Sequence, residues 1–213
     1  MISLIAVIAT EGQGEFSAFK LWFGSLPTLN GPLSTRVLRV ACQPDGPMTG
    51  IARACKPVLQ QAVARRADLF VLVLDREQQD GCPGALADAL KTEMERLGPW
   101  PFRVDVVYKD RALENWLIAD LKALRAQRAR YDVSSALVRQ VEPDKADRVK
   151  AIDLLNKAAK GRQYEKIEDG KKIAERVDLL AAARHSRSFR HMLHVLGHVE
   201  YPDQCRQPTE ITP

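Results

Sequence analysis

The run Leu69 to Leu74, LFVLVL, limits what this chain can fold into more than any other stretch. Six consecutive apolar residues, rich in Val and Leu and without alternation, are too short for a helix; they suit a strand covered on both faces of a mostly parallel sheet. The run stops at once in charge, at Asp75-Arg76-Glu77. A second apolar run, Ile2 to Ala9, also stops in an acid, at Thr10-Glu11-Gly12, and leads into a helical segment over residues 14–24. Open α/β sheets bind ligands outside the carboxyl ends of their strands. If the two runs are adjacent parallel strands, Glu11, Asp75 and Glu77 converge at one sheet edge, with the Glu11 and Asp75 carboxylates within roughly 8 Å. Acids that close repel one another and raise one another's pKa values unless a divalent ion, most naturally Mg²⁺, holds them.

The remaining segments fill out the same class. Arg36 to Cys42 and Phe102 to Tyr108 read as strands, Ile51 to Arg66 and Ala85 to Leu97 as helices, and Ser25 to Pro32, with its prolines and glycine, as a loop. Strands alternating with helices predict an α/β fold over residues 1–110, a mostly parallel sheet flanked by helices. Beyond Asp110 only helical periodicity remains, in Ala112 to Arg130, Lys145 to Lys160, Asp169 to Ala183 and Ser188 to Val199. Residues 111–213 are therefore expected to form an all-helical C-terminal extension packed on the first domain, ending in a loosely held tail from Tyr201.

A strand ending in Glu-Gly, followed by a later strand ending in two acids one residue apart, resembles the TOPRIM (topoisomerase and primase) domain. The tract Glu114-Asn115-Trp116-Leu117-Ile118-Ala119-Asp120 and the stretch Tyr164 to Leu193 resemble a narrower group, the small RloB-like bacterial proteins found beside ATPases in phage-defence loci. The resemblance implies a TOPRIM-like sheet, Mg²⁺ as cofactor and action on phosphodiester bonds, with Glu11, Asp75 and Glu77 as catalytic acids and metal ligands. Glu77 departs from the pattern, which has Asp there. Glu114, near the start of its helix, is a further candidate ligand at the same edge; its plainer role is an acid favouring the helix dipole. Trp116 and Leu117 read as core, and Asp120 as structural.

Charge adds a second part to this expectation. Acidic and basic side chains balance over residues 1–110, so the whole formal charge of +5 falls in residues 111–213. An acidic site in one half and a basic surplus in the other suit a protein that works on nucleic acid, DNA or RNA. Arg184, Arg187 and Arg190, at spacing three, are the expected phosphate contacts, with Lys166, Lys171 and Lys172 behind them. The bland alternative is a set of solvated helix faces.

Several other classes are disfavoured. Gly12-x-Gly14 lacks the third glycine of a dinucleotide loop, having Ser17 there, and Glu11 would repel a pyrophosphate. His191, His194 and His198 share a helix stripe but lack an acid or thiol partner nearby, so zinc is not expected. Cys42, Cys55, Cys82 and Cys205 show no CxxC spacing and read as reduced thiols. No apolar run approaches the roughly 18 residues that span a bilayer, and the first run meets Glu11 without a basic leader or cleavage site. A cytoplasmic protein without a membrane partner is expected. Three functional readings stand: a Mg²⁺-dependent nuclease or related effector in phage defence, a catalytically weak regulatory subunit docking on a partner ATPase, or a nucleotide-binding domain.

Overall fold

The computed structural model describes residues 4–76 and 79–203. Its centre is a five-stranded sheet in the order β2-β3-β1-β4-β5. The strands are β1 (Leu4–Thr10), β2 (Ser25–Thr28), β3 (Gly31–Arg39), β4 (Leu69–Asp75) and β5 (Arg103–Lys109). Every pairing is parallel except β2 with β3. The chain leaves β1 for β3 on one side and returns to β4 on the other. That reversal makes the carboxyl ends of β1 and β4 the topological switch point, the place where α/β sheets bind ligands.

Strand periodicity assigns each side chain to a layer. Ala6 and Ile8 of β1, Val71 and Val73 of β4, and Val107 of β5 enter one core with helix α1 (Gln13–Trp22). Val7, Ala9, Phe70, Leu72, Leu74, Val104 and Val106 enter a second core with α2 (Met48–Ala64) and α3 (Pro83–Glu95). The first core also takes in Trp116, Leu117, Phe189 and Leu193, so the C-terminal helices cover the α1 face. Trp116, wholly buried, meets Phe189 edge-on at 5.0 Å, and Phe189 meets Trp22 edge-on at 5.7 Å. Such contacts add about 0.5–1.5 kcal/mol each beyond the area they bury, and they fix the extension to α1.

The extension is cut into shorter helices than the periodicity predicts: α4 (Leu113–Ile118), α5 (Leu121–Arg125), α6 (Ser135–Val141), α7 (Ala151–Ala158), α8 (Glu168–Ala174), α9 (Leu179–His185) and α10 (Arg187–Val195). Asp120 breaks the first expected helix, leaving helical geometry to accept from the Lys122 amide at 2.9 Å and the Asp178 amide at 2.9 Å. Asp178 caps α9 in the same way and separates it from α8. Ser25 to Thr28 also differs from the expected loop. It is an edge strand whose Pro27 sits opposite Pro32 at the sheet margin, where a missing amide donor is tolerated. Among the described residues no helix is long and apolar enough to cross a membrane.

Candidate metal centre at the sheet edge

Glu11 directly follows β1 and Asp75 ends β4, and the parallel pairing of these strands brings them together. Glu11 Oε1 accepts the Asp75 backbone amide at 3.3 Å. Glu77 lies outside the described residues. Arg76 ties the backbone beyond Asp75 to the end of β5, donating Nε to the Asp110 carbonyl at 3.0 Å and pairing with the Asp110 carboxylate at 3.1 Å.

Two residues that sequence reasoning passed over complete the cluster. Lys109 is the register partner of Asp75, so both side chains project from the α1 face of the sheet. Its ammonium is fully buried, donates to Glu15 Oε1 at 2.8 Å and meets Asp75 Oδ1 at 2.7 Å without hydrogen-bond alignment. Glu15, in the first turn of α1, lies so close to Gly12 that a Cβ there would stand 1.9 Å from Glu15 Oε2. Gly12 thus serves the site by close approach, since its backbone is ordinary extended chain. The sequence signal was available: a glycine three residues before an acid at a strand-to-helix turn.

Charge is unevenly matched here. Burial pushes Glu11 up to about 7, against the pull of Lys109 and the Asp75 amide, with Asp75 and Glu15 adding repulsion. Asp75 is also raised, burial outweighing Lys109. Glu15 is lowered, because Lys109 and its hydrogen bond overcome the cost of burial. Lys109 stays cationic, its two acids overcoming its burial. The ammonium therefore satisfies Glu15 best and leaves Glu11 and Asp75 short of positive charge.

Glu114 is buried on α4 beside this cluster, and burial raises its carboxyl, Asp75 and Glu15 adding to the rise against the pull of Lys166. Its Oε1 takes a long 3.5 Å hydrogen bond from the Tyr164 hydroxyl. Asn115 holds the Ala146 and Val149 carbonyls at 2.7 and 2.9 Å, and the Trp116 indole donates to Ser188 Oγ at 2.7 Å. The Glu-Asn-Trp tract thus turns one residue toward the acids and anchors the next two in the extension.

Among the described residues, no three His, Cys, Asp or Glu side chains form a ready cage for a metal. Mg²⁺ does not ask for one: it keeps several waters and is bound by one or two carboxylates plus substrate oxygens. Glu11 and Asp75, paired at a strand switch and under-compensated, fit that requirement.

The basic candidates are dispersed. Lys166 is exposed and near enough to favour ionised Glu15, Asp75 and Glu114. Lys172 pairs with Glu168 at 2.7 Å on α8, beside exposed Lys171. Arg184 is exposed, and Arg187 lines a cleft of about 340 Å³ with Cys82, Asp105 and His191. Arg190 departs from expectation. It is 3 % exposed, donates to the Ala183 carbonyl at 2.7 Å and pairs with Asp144 at 3.0 Å, so its charge holds the extension together. What spacing alone does not show is that tertiary packing brings Asp144 and the Ala183 carbonyl onto Arg190 and leaves Arg187 outside.

A family described as a domain of unknown function (DUF4276) matches residues 11–197. The chain belongs to that family. The match begins at Glu11, just past the end of β1, and takes in the other four strands, the acids at the sheet edge and the C-terminal helices. No curated protein and no solved structure matched the chain.

Proposed function

We propose that this protein is a TOPRIM-like, Mg²⁺-dependent nuclease or related phosphodiester-acting effector, of the kind that serves phage defence. One observation carries the reading: Glu11 and Asp75 meet at the switch point between β1 and β4 while Lys109 leaves both acids under-compensated. Glu11 and Asp75 would hold the ion, with Glu114 a further acid at the same edge and Glu77 kept as a ligand on the family resemblance alone. Bound there, Mg²⁺ supplies charge neutralisation at a phosphoryl oxygen and a more acidic water. Lys109 keeps Glu15 ionised and fixes the end of β5. Lys166 offers an exposed positive charge near the acids, and Lys171, Lys172, Arg184 and Arg187 extend a basic surface for DNA or RNA. A cytoplasmic setting agrees with this substrate.

The burial of Lys109 against Asp75 favours one second reading, a catalytically weak subunit that keeps the fold and docks on a partner ATPase. Incubating the purified chain with labelled single- and double-stranded DNA and RNA, with Mg²⁺ or with chelator, separates the two. Nuclease action predicts Mg²⁺-dependent cleavage that falls roughly 10²–10³-fold in Asp75→Asn. Binding without cleavage by the native chain supports the subunit.

A further inference from the structure

Phosphodiester-cleaving sites often hold two divalent ions roughly 3.5–4 Å apart, clamped by shared carboxylates. The acids at this sheet edge have the charge for two. Their arrangement leaves room for fewer, because the space between Asp75 and Glu15 is filled: Lys109 Nζ stands 2.7 Å from one carboxylate and 2.8 Å from the other. An ion bridging those two acids would need that position.

Lys109 is not a surface lysine that can swing aside. It is the last residue of β5, its backbone carbonyl accepts the Arg76 amide at 3.0 Å, and its side chain is wholly buried. The Phe19 ring closes the inner wall, its centroid 5.9 Å from Nζ. Withdrawing the ammonium would strand Glu15, 7 % exposed, as an unpaired buried acid, which costs far more than an exposed ion pair is worth. The positive charge is therefore resident, and it cannot exchange with solvent as a metal does.

We propose that Lys109 is a built-in cation occupying the place of a second metal, so that the site takes a single divalent ion on the Glu11 and Asp75 side. Glu15 then belongs to the lysine and is not a metal ligand. This inference rests on the metal reading above, and it specifies that site's stoichiometry and selectivity. It makes Lys109 a positioning residue, setting how many ions bind and where.

The test is a titration of the full chain with Mn²⁺, free ion being followed by electron paramagnetic resonance. One Mn²⁺ per native chain is expected. Glu15→Gln should keep that number and alter affinity by no more than about threefold, whereas Asp75→Asn should weaken it at least about tenfold. Lys109→Met should admit a second Mn²⁺ or bind the first at least about tenfold tighter. If Lys109→Met fails to fold, the Glu15→Gln and Asp75→Asn pair decides the matter alone. Two ions on the native chain, or equal weakening by Glu15→Gln and Asp75→Asn, would overturn the inference while leaving the metal reading intact. No Mn²⁺ binding by the native chain would overturn both.

Discussion

Asp75 at the sheet edge and Asp169 in the extension are both acids set among cations, and the two neighbourhoods resolve charge in opposite ways. Asp169, 2 % exposed, accepts from Arg130 at 2.7 Å, from Arg162 at 3.0 Å through each of its oxygens, and from the Glu165 amide at 3.0 Å. Arg130 also donates to the Lys160, Arg162 and Gln163 carbonyls, each at 2.7 Å, so the clasp closes the whole 160–169 turn. Those donors hold the Asp169 carboxyl below its usual range although burial opposes them. Asp75 has one ion-pair partner among the described residues, Lys109, which it shares with Glu15, and burial raises it. A fully satisfied carboxylate belongs to the architecture, whereas one left short of positive charge has capacity for a ligand.

One substitution made at both places breaks or upholds this contrast. Asp169→Asn should destabilise the fold by about 3 kcal/mol, because it leaves Arg130 and Arg162 facing a neutral group inside a closed turn. Asp75→Asn should change stability by less than about 1 kcal/mol, since Lys109 and Glu15 remain as a balanced pair. Urea unfolding of both variants at neutral pH, without divalent ions, measures the difference. Equal losses would mean that Asp75 is as structural as Asp169.

That contrast marks what could be read from the amino-acid order. Strand runs ending in acids are local features, and from them the parallel sheet and the meeting of Glu11 with Asp75 followed. Lys109 escaped notice because its role depends on β5 lying beside β4 in a register that places it opposite Asp75, and strand order is a tertiary fact. Glu15 needed the packing of α1 on the same face. The breaks at Asp120 and Asp178 were hidden for another reason: an acid in a helical pattern reads equally well as exposed surface, until its side chain is seen accepting backbone amides. Arg190 and Arg187, three residues apart on α10, look alike in sequence, yet one is buried against Asp144 and the other exposed.

Gly12 sharpens the comparison from the steric side. Its missing Cβ makes room for the Glu15 carboxylate, which Lys109 holds in place, so Gly12→Ala must shift a pinned side chain. A loss of about 1–3 kcal/mol is expected. The double variant Gly12→Ala with Glu15→Ala should lose less than the single losses added together, because the clash vanishes with the longer side chain. Strict additivity in urea unfolding would show that Gly12 is needed for the turn itself.

The smallest effect concerns Glu11 and pH. Its carboxyl is raised from an ordinary 4.5 to about 7, chiefly by burial. Between those values the folded chain holds a proton that the unfolded chain has released, so the folded state binds more protons and stability falls as pH rises across the window. Below 4.5 both states are protonated and nothing is lost; above 7 the loss is complete. Gln resembles the protonated acid at every pH. Glu11→Gln should therefore match the native chain at pH ~4.5 and exceed it at pH ~8 by on the order of 1–2 kcal/mol, the shift being discounted for Glu11's partial exposure. In a chain of this size that is a rise of about 3–6 °C in Tm. Saturating Mg²⁺ should erase the advantage at high pH by stabilising only the chain that keeps the acid. Scanning calorimetry at the two pH values, with and without Mg²⁺, reads all four cases. A gain of equal size at both pH values would assign the effect to packing and remove Glu11 from the under-compensated pair.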